Sequence, residues 1–293
     1  MKLFLASAAS SATYKRCWES EETRRFLFSF ANFRALFEEN RHLYEDPRNE
    51  IIVDSGAFTA WTLGRRIDLA EYVRFCFRVL ENSSARVTFI NLDVIPGRFR
   101  RPPTAQEREE SAAVGWRNFE TMRAVGLPVI HVFHQHEGFD WLRRIVDAGG
   151  VVGISPANDV SVPERELWLR KVYHSIGVGV RTHAFGVTTV SLMERFPFYS
   201  VDSTSWLAPS LYWSVPYFAG PTRGLIQVGK SELHRRFGEV ARHLVPATTQ
   251  GYGYLTRLSL RAYAEIERYI TRLWEARGLR WEDGQGSSGD TET

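Results

Sequence analysis

The sequence predicts a closed (β/α)8 barrel, the TIM-barrel fold, as a single domain with extra C-terminal helices. The chain has 293 residues, eight short apolar runs punctuate it, and most runs precede a stretch of helical periodicity. Strands alternating with helices favour a parallel sheet, and eight such units in about 250 residues favour its closure into a barrel. A doubly wound open sheet is the alternative, but no Gly-x-Gly-x-x-Gly fingerprint follows any run.

The predicted strands are short and rich in apolar or β-branched residues. The first superficially resembles a signal peptide, but its apolar stretch Leu3–Leu5 is shorter than the roughly 7–15 residues such a segment needs. We therefore interpret it as a buried strand. The eight predicted strands are Leu3–Ala6, Ile51–Val53, Val87–Asn91, Val129–Phe133, Val151–Ile154, Ala184–Val187, Tyr199–Val201 and Leu225–Val228.

Helical patterns occupy most of the segments between these runs. After the last run, Ser231–His243 and Thr256–Arg277 are predicted to form closing helices. We expect one barrel domain over residues 1–280 and a disordered acidic tail over residues 281–293. The helices predicted between the strands are Glu21–Glu39, Leu69–Glu81, Ala105–Val125, Phe139–Ala148, Pro163–His174 and Val190–Arg195.

The composition excludes several classes of protein. With 19 Phe, 11 Tyr and 9 Trp, the chain can bury enough apolar surface to exclude extended disorder. The two cysteines, Cys17 and Cys76, are too few to stabilise a chain of this length through disulfides. A disulfide scaffold is therefore excluded and a reducing cytoplasm is indicated. No apolar run approaches the roughly 18 residues that span a bilayer.

The basic residues are strongly biased towards arginine. Of 37 basic residues only four are lysine, and the formal net charge is +3. A GC-rich genome explains this bias, and so does phosphate contact, because guanidinium groups bind phosphate through two hydrogen bonds. The composition permits a nucleic-acid partner but does not require one.

Acidic side chains follow three of the predicted strands, and a glutamine follows a fourth. These are Asp54, Asp93, Asp202 and Gln135. In a barrel of this type the C-terminal strand ends form the mouth where the chemistry takes place. A single acid there is equally well explained as a helix cap or turn residue. Three acids at one face are harder to explain structurally, because gathering buried like charges is costly.

Three histidines lie at the same strand ends. His134 and His136 are two residues apart, so on a strand they face the same side and allow a metal site. Without a clear third ligand, we favour contact with substrate or phosphate, or a structural role. The role of His183 is open in the same way.

Several of these segments resemble, in order, the motifs of the tRNA-guanine transglycosylases. Val53–Phe58 is similar to the Asp-Ser-Gly-Gly-aromatic signature of that family, and Val201–Ser203 lies where the family has its Phe-Asp nucleophile motif. The resemblance extends from Ile51 to Trp206, roughly half of the chain. The other matching segments are Leu92-Asp93 with Pro96, Phe133–Gln135, Val152–Ile154 and Phe185–Thr188.

The chain also departs from that family. It has no cysteine after Cys76, so the family's Cys-x-Cys-x-x-Cys plus His zinc site is absent and no cofactor is expected. Ala57 replaces the second glycine of the signature. A short, zinc-less chain is more similar to the phage-type DNA deazaguanine transglycosylases. The resemblance implies exchange of guanine in DNA for a free 7-deazaguanine base such as 7-cyano-7-deazaguanine, in the host cytoplasm if a phage encodes the protein.

The resemblance also implies roles for the residues of the mouth. Replacing a base without cutting the backbone requires the C1′–N9 bond to break and form again, which suits a carboxylate nucleophile and a covalent intermediate. Asp202 is implied as that nucleophile and Asp54 as the group that moves protons. Asp93 and Gln135 are expected to read the purine edge. The remaining substrate-binding residues are Gly153 and Ile154 of the base-binding strand, Gly186, and Phe58 and Phe185, which stack on the base unless they are core aromatics.

Exchange inside a duplex requires the target nucleotide to be extruded, and hence phosphate-binding groups around the mouth. For any single arginine, a solvated surface position is the better explanation. The candidate nucleic-acid-binding residues are Arg65, Arg66, Arg98, Arg100, Arg101, Arg223 and Lys230, with Arg235 and Arg236 nearby, and Trp206, Tyr212 and Trp213 as stacking aromatics.

Three alternatives stay open at this stage. The same exchange on tRNA keeps the chemistry and changes the polymer. A nucleoside hydrolase-type barrel would release a base from a free nucleoside. A non-catalytic barrel would only bind nucleic acid. The sequence predicts no membrane partner and does not indicate the oligomeric state.

Overall fold

A closed barrel of eight parallel strands organises the computed structural model, which describes residues 1–7, 23–97, 101, 103–157, 160–208, 214–229, 231–232, 235 and 249–281. Each strand pairs with the next one in sequence, and the eighth pairs with the first. The predicted TIM-barrel fold is therefore confirmed. The strands are β1 (Lys2–Ser7), β2 (Arg25–Ser29), β3 (Glu50–Asp54), β4 (Arg86–Ile90), β5 (Val129–His134), β6 (Val152–Ser155), β7 (Thr182–Ala184) and β8 (Ser200–Ser203).

Helices cover the outer face of the barrel. The 3-10 segments Arg34–Leu36 and Glu38–Asn40 lie between the first two helices, and Ser205–Leu207 follows β8. The helices are α1 (Phe30–Phe33), α2 (Arg41–Glu45), α3 (Ala57–Thr62), α4 (Leu69–Glu81), α5 (Ala105–Ala124), α6 (Phe139–Asp147), α7 (Val162–Ile176), α8 (Val190–Arg195) and α9 (Thr249–Ala276).

Local capping chemistry fixes where the long helices begin. At α5, the Thr104 hydroxyl accepts from the Glu107 N–H while the Glu107 carboxylate accepts from the Thr104 N–H. Ser161 and Glu164 form the same reciprocal pair at the start of α7. These contacts satisfy N–H groups that have no partner within the helix. Helix α7 ends at Gly177, whose φ of 74° suits glycine.

The strands separate two apolar cores. Alternate residues point outwards against the helices or inwards to the barrel axis. The outer core is the larger and includes the fully buried Phe26, Phe28, Phe89 and Phe133. The inner core consists of Phe4, Ala6, Leu27, Ile52, Ile90, Ile130 and Val132, with Val151 and Phe185 packed against it.

An ion-pair network lies at the N-terminal ends of the strands. The carboxylate of Glu50 accepts from Lys2 at 2.7 Å, from Arg86 at 2.7 Å and from Arg25 at 3.3 Å. Arg25 also pairs with Glu267 of α9 at 2.5 Å. Apart from the half-exposed Arg86, these side chains are mostly buried, and the pair of Arg25 and Glu267 links the start of the barrel to the C-terminal helix.

The structure corrects one predicted helix and one predicted strand. Arg25–Ser29 is barrel strand β2, although the sequence analysis placed it inside a helix over Glu21–Glu39. Leu225–Val228 was predicted as the eighth barrel strand. It belongs instead to β10 (Leu225–Gly229), which pairs antiparallel with β9 (Ser214–Phe218) outside the barrel. The predicted total of eight strands is right because these two errors offset each other.

Other predicted bounds shift by a few residues. The sixth run, Ala184–Val187, continues past the end of the strand at Ala184, and the predicted closing helix Thr256–Arg277 lies almost wholly within α9. Most of the predicted helix Ser231–His243 and residues 282–293 of the predicted tail lie outside the described residues. Among the helices described, none is both long enough and apolar enough to cross a membrane.

Candidate active site

Three carboxylates converge at the mouth of the barrel. Asp54 ends β3, Asp202 lies in β8, and Asp93 follows β4. Burial and the negative charge of Asp93, followed by that of Asp202, raise the pKa of Asp54 to about 7, although a hydrogen bond from Gly56 lowers it. Near neutral pH the Asp54 carboxyl is therefore close to half-protonated and can both give and take a proton.

The turn after β3 holds Asp54 in place. The Gly56 N–H donates to Asp54 Oδ2 at 2.9 Å, and Gly56 has a φ of 80°. A Cβ at this glycine would lie 2.6 Å from the Ala31 Cβ and 2.8 Å from the Ser29 Oγ. Glycine is required there both by the left-handed backbone and by close packing.

Asp93 forms a close pair with His134, the last residue of β5. The distance from His134 Nε2 to Asp93 Oδ2 is 2.6 Å, and both side chains are largely buried. Burial lowers the pKa of His134, but the Asp93 hydrogen bond and the charges of Asp93 and Glu137 outweigh burial and raise it. The Glu137 carboxylate accepts from the His134 N–H at 3.0 Å, and the His136 ring stacks on the His134 ring at 5.7 Å.

Asp202 is held by the strand beside it. Its Oδ1 accepts from the Gly186 N–H at 2.9 Å and lies 3.5 Å from His183 Nε2. The carboxylate side chain is 10% exposed, so it is desolvated but still reachable from the mouth. Two predicted site residues, Asp202 and Gly186, are thus in direct contact.

The predicted base-binding strand β6 contacts a predicted stacking aromatic. A Cβ at Gly153 would lie 3.0 Å from Phe185 Cε2 and 2.8 Å from the His131 carbonyl oxygen, so the ring passes directly over this glycine. The Ile154 carbonyl accepts from the Phe185 N–H at 2.9 Å as part of the barrel ladder. Phe185 packs on the inner core and forms part of the floor of the mouth.

Gln135 and Phe58 lie in different surroundings. The Gln135 Oε1 accepts from the Ala157 N–H at 2.9 Å, so this side chain holds the loop after β6. Phe58 lies on α3, directly after Asp54, and is 51% exposed beside Trp61. An exposed aromatic at the rim suits stacking on a ligand better than a core role.

The predicted nucleic-acid-binding residues that the structure describes are exposed. Arg65 and Arg66 are exposed on the loop after α3, and Arg223 is exposed in the turn of the β9–β10 hairpin. Arg101 is exposed but forms an ion pair with Glu107 of α5. Arg98, Arg100 and Lys230, together with Arg236, Tyr212 and Trp213, lie outside the described residues.

Trp206 is not a surface aromatic, as the sequence analysis had assigned it. It is fully buried, and its indole N–H donates to the Ala6 carbonyl at 2.9 Å. The Ser259 hydroxyl of α9 donates to the Trp206 carbonyl at 2.8 Å. Trp206 therefore joins β1 to the C-terminal helix and is not available to stack on a base.

Sequence reasoning missed one structural support of the mouth. The Tyr72 hydroxyl on α4 lies 3.0 Å from the Val53 carbonyl and 2.8 Å from the Ile90 carbonyl, so it bridges the ends of β3 and β4. The helical pattern marks Tyr72 as core-facing, but nothing in the sequence signals which carbonyls its hydroxyl meets. Within the described ranges, no group of three or more His, Cys, Asp and Glu side chains is arranged to hold a metal ion.

Comparisons with known proteins do not indicate an activity for this chain. No protein-family model and no curated protein matches the chain. The tryptophan synthase alpha chain from Legionella pneumophila subsp. pneumophila is similar in structure, with 10% identity, a TM-score of 0.46 and 91% of each chain covered. KGPDC from Streptococcus mutans is 13% identical, with a TM-score of 0.41 and 93% and 98% covered. An L-ribulose 3-epimerase is 11% identical, with a TM-score of 0.47 and 96% and 99% covered. Structural similarities this weak do not indicate an activity.

Proposed function

We propose that this protein is a base-exchange transglycosylase that replaces guanine in DNA with a 7-deazaguanine, through a covalent aspartyl-glycosyl intermediate. The observation that carries the proposal is the convergence of Asp54, Asp93 and Asp202 at one mouth, with Asp54 half-protonated near neutral pH. The order of motifs along the chain, similar to that of the transglycosylases, adds support.

The first half of the reaction forms the covalent intermediate. A carboxylate oxygen of Asp202 bonds to C1′ of the nucleotide as the C1′–N9 bond breaks, and the electron pair leaves with guanine. Protonated Asp54 gives its proton to the departing base. Asp54 is ionised after this step.

The second half restores the enzyme. The incoming 7-deazaguanine gives its N9 proton to Asp54, and its N9 bonds to C1′ as the bond from C1′ to Asp202 breaks. Asp93, held by His134, accepts hydrogen bonds from N–H groups on the base edge in both halves. The exposed ring of Phe58 and the Phe185 ring supply apolar faces for the flat base.

The decisive experiment combines Asp202→Asn with trapping of the intermediate. Wild-type protein is incubated with duplex DNA and labelled guanine, and exchange and protein–DNA adduct are measured. Asp202→Asn is expected to keep the fold and lose both signals. The matched control is Asp140→Asn on α6, whose side chain is 89% exposed, and it is expected to behave as wild type. Full exchange by Asp202→Asn would show that Asp202 is not the nucleophile.

The choice of polymer needs a separate comparison. Labelled guanine is offered with duplex DNA, with tRNA, or with a free nucleoside alone. Incorporation into DNA supports the proposal, whereas incorporation into tRNA would move the same chemistry to that polymer. Release of base from the free nucleoside would indicate a hydrolase, and binding of nucleic acid with no exchange and no adduct would indicate a non-catalytic barrel.

A further inference from the structure

His183 is an enclosed imidazole next to Asp202. It lies on β7, has no solvent exposure, and faces the edges of the Phe4 and Phe185 rings at centroid distances of 5.9 Å and 4.7 Å. Its Nδ1 is 2.8 Å from the Ser200 Oγ. Its Nε2 makes no hydrogen bond to any residue that the structure describes, and Asp202 Oδ1 lies 3.5 Å away.

The Ser200 hydroxyl determines which ring nitrogen carries the hydrogen. If the hydroxyl donates to Nδ1, the ring hydrogen sits on Nε2 and points at Asp202 Oδ1. The opposite tautomer would set the Nε2 lone pair against a carboxylate oxygen and leave a buried acceptor without a donor, which is costly. The geometry therefore favours the Nε2–H tautomer.

We propose that His183 is a positioning residue that orients the Asp202 carboxylate for attack on the sugar. Together with the Gly186 N–H, its Nε2–H holds Oδ1, so Oδ2 is the oxygen that faces the mouth. This inference rests on the proposed function, in which Asp202 is the nucleophile. The 3.5 Å separation shortens when the substrate occupies the mouth, as catalytic hydrogen bonds commonly do.

The contact between His183 and Asp202 also contributes when the covalent intermediate breaks down. While Asp202 is bonded to C1′ through Oδ2, Oδ1 is a carbonyl oxygen, and negative charge returns to the carboxylate as the C1′–O bond breaks. A donor already aimed at Oδ1 stabilises that charge without reorganising. Among the described residues, the titratable groups that face Asp202 are His183 on β7 and, across the mouth, Asp54. Strand β1 places the apolar Phe4 in register with Asp202.

Three variants test the inference by single-turnover formation of the DNA adduct over a range of DNA concentrations. His183→Phe keeps a ring of similar size and removes the donor. His183→Gln restores an N–H near the position of Nε2. Tyr173→Phe is the control, because it removes a buried hydroxyl contact of 2.7 Å to Thr182, the residue before His183, on the outer face of the same strand.

His183→Phe is expected to slow the maximal rate of adduct formation about ten- to a hundredfold, as for one lost hydrogen bond to a charged group, with the DNA concentration at half-maximal rate unchanged. His183→Gln is expected to recover most of the rate. Tyr173→Phe is expected to lower the stability and leave the rate of adduct formation unchanged.

A folded His183→Phe variant that forms the adduct at the wild-type rate would overturn the inference while leaving the function standing, provided that wild-type protein forms the adduct. If wild-type protein forms none, the proposed function itself fails. If His183→Phe does not fold, Ser200→Ala takes its place, since it keeps the ring but removes the group that fixes the tautomer. A smaller decrease in the rate of adduct formation supports the inference, and an unchanged rate overturns it.

Discussion

At the scale of single residues, the proton on Asp54 makes the stability of the whole protein depend on pH. Burial, with the charges of Asp93 and Asp202, raises the folded-state pKa of Asp54 to about 7 from an ordinary value of 3.8. The folded state therefore keeps this proton longer than the unfolded chain does. The stabilising contribution is complete below pH 3.8 and is lost as the pH rises towards 7.

Asp54→Asn removes this dependence because an amide does not ionise. We expect the variant to be more stable than the wild type at pH 8, by on the order of 3 kcal/mol, with the difference vanishing near pH 4. Urea unfolding at both pH values measures this difference, with the exposed Asp140→Asn as control. An equal difference at the two pH values would show that Asp54 ionises normally in the folded protein.

Because Gly153 has no side chain, the Phe185 ring can pack directly against its backbone at the floor of the mouth. Gly153→Ala brings a Cβ to 2.8 Å from the His131 carbonyl and 3.0 Å from the Phe185 ring. We expect a loss of about 1–3 kcal/mol in the free energy of unfolding and a higher KM for the base, because the aromatic ring must move. Gly179→Ala, which meets no atom within 4 Å, is the control for both measurements.

At the scale of elements, Tyr72 links helix α4 to the strand ends that carry Asp54 and Asp93. Tyr72→Phe leaves the ring in the core but removes the hydroxyl that lies between the Val53 and Ile90 carbonyls. We expect it to lower the free energy of unfolding by about 1–3 kcal/mol, since a buried carbonyl loses its donor. Tyr217→Phe, on an exposed ring of β9, is the control in the same denaturant titration. No loss in Tyr72→Phe would mean that the two strand ends do not depend on this bridge.

The elements that the sequence predicted well are those with clear periodicity. The start of α7 is marked by Ser161, Pro163 and Glu164, and the strand ends with Asp54 and Asp202 lie at the mouth as expected. Strand β2 was missed because three of its residues in a row, Phe26 to Phe28, are buried, and such a run has no period to distinguish strand from helix. β10 was assigned to the barrel because an apolar run does not show which strand it pairs with.

The contacts of the site were less predictable than its residues. The pair of Asp93 and His134 joins residues from neighbouring strands 41 positions apart, and it depends on the rotamers of both side chains. Likewise, a tryptophan near the end of a strand is equally consistent with a role in stacking on a base and with a place in the core. Only the packing of Trp206 between β1 and α9 settles that choice.

At the scale of the whole molecule, the two ends of the barrel carry opposite charge arrangements. At the mouth, the charges of Asp93 and Asp202 act on Asp54, and the basic groups described beside those two carboxylates are the imidazoles of His134 and His183. At the other end, Glu50 is surrounded by Lys2, Arg25 and Arg86. Barrels of this type separate chemistry at the C-terminal strand ends from stability at the N-terminal ends, and the charges here follow that division.

Glu50→Gln tests this division. Burial alone raises the pKa of Glu50, but the hydrogen bond from Lys2 and the charges of Lys2, Arg25 and Arg86 outweigh it, so the pKa is lowered. The ion pairs therefore stabilise the fold above pH 4.5, and that contribution is lost as the pH falls through the lowered pKa. Removing the carboxylate takes a shared ion-pair partner from Lys2, Arg25 and Arg86, so we expect a loss of about 1–3 kcal/mol at pH 7 that shrinks in acid.

The matched control for Glu50→Gln is Glu38→Gln, which breaks an exposed pair with Arg78 and is expected to cost less than about 1 kcal/mol. Because no contact joins Glu50 to the mouth carboxylates, folded Glu50→Gln protein is expected to exchange guanine at the wild-type rate at a temperature well below its own Tm. Base exchange per folded molecule and the free energy of unfolding are measured on the same preparation. A folded variant with impaired exchange would show that the ion network also positions the mouth, and the two ends of the barrel would then have to be treated as one coupled unit.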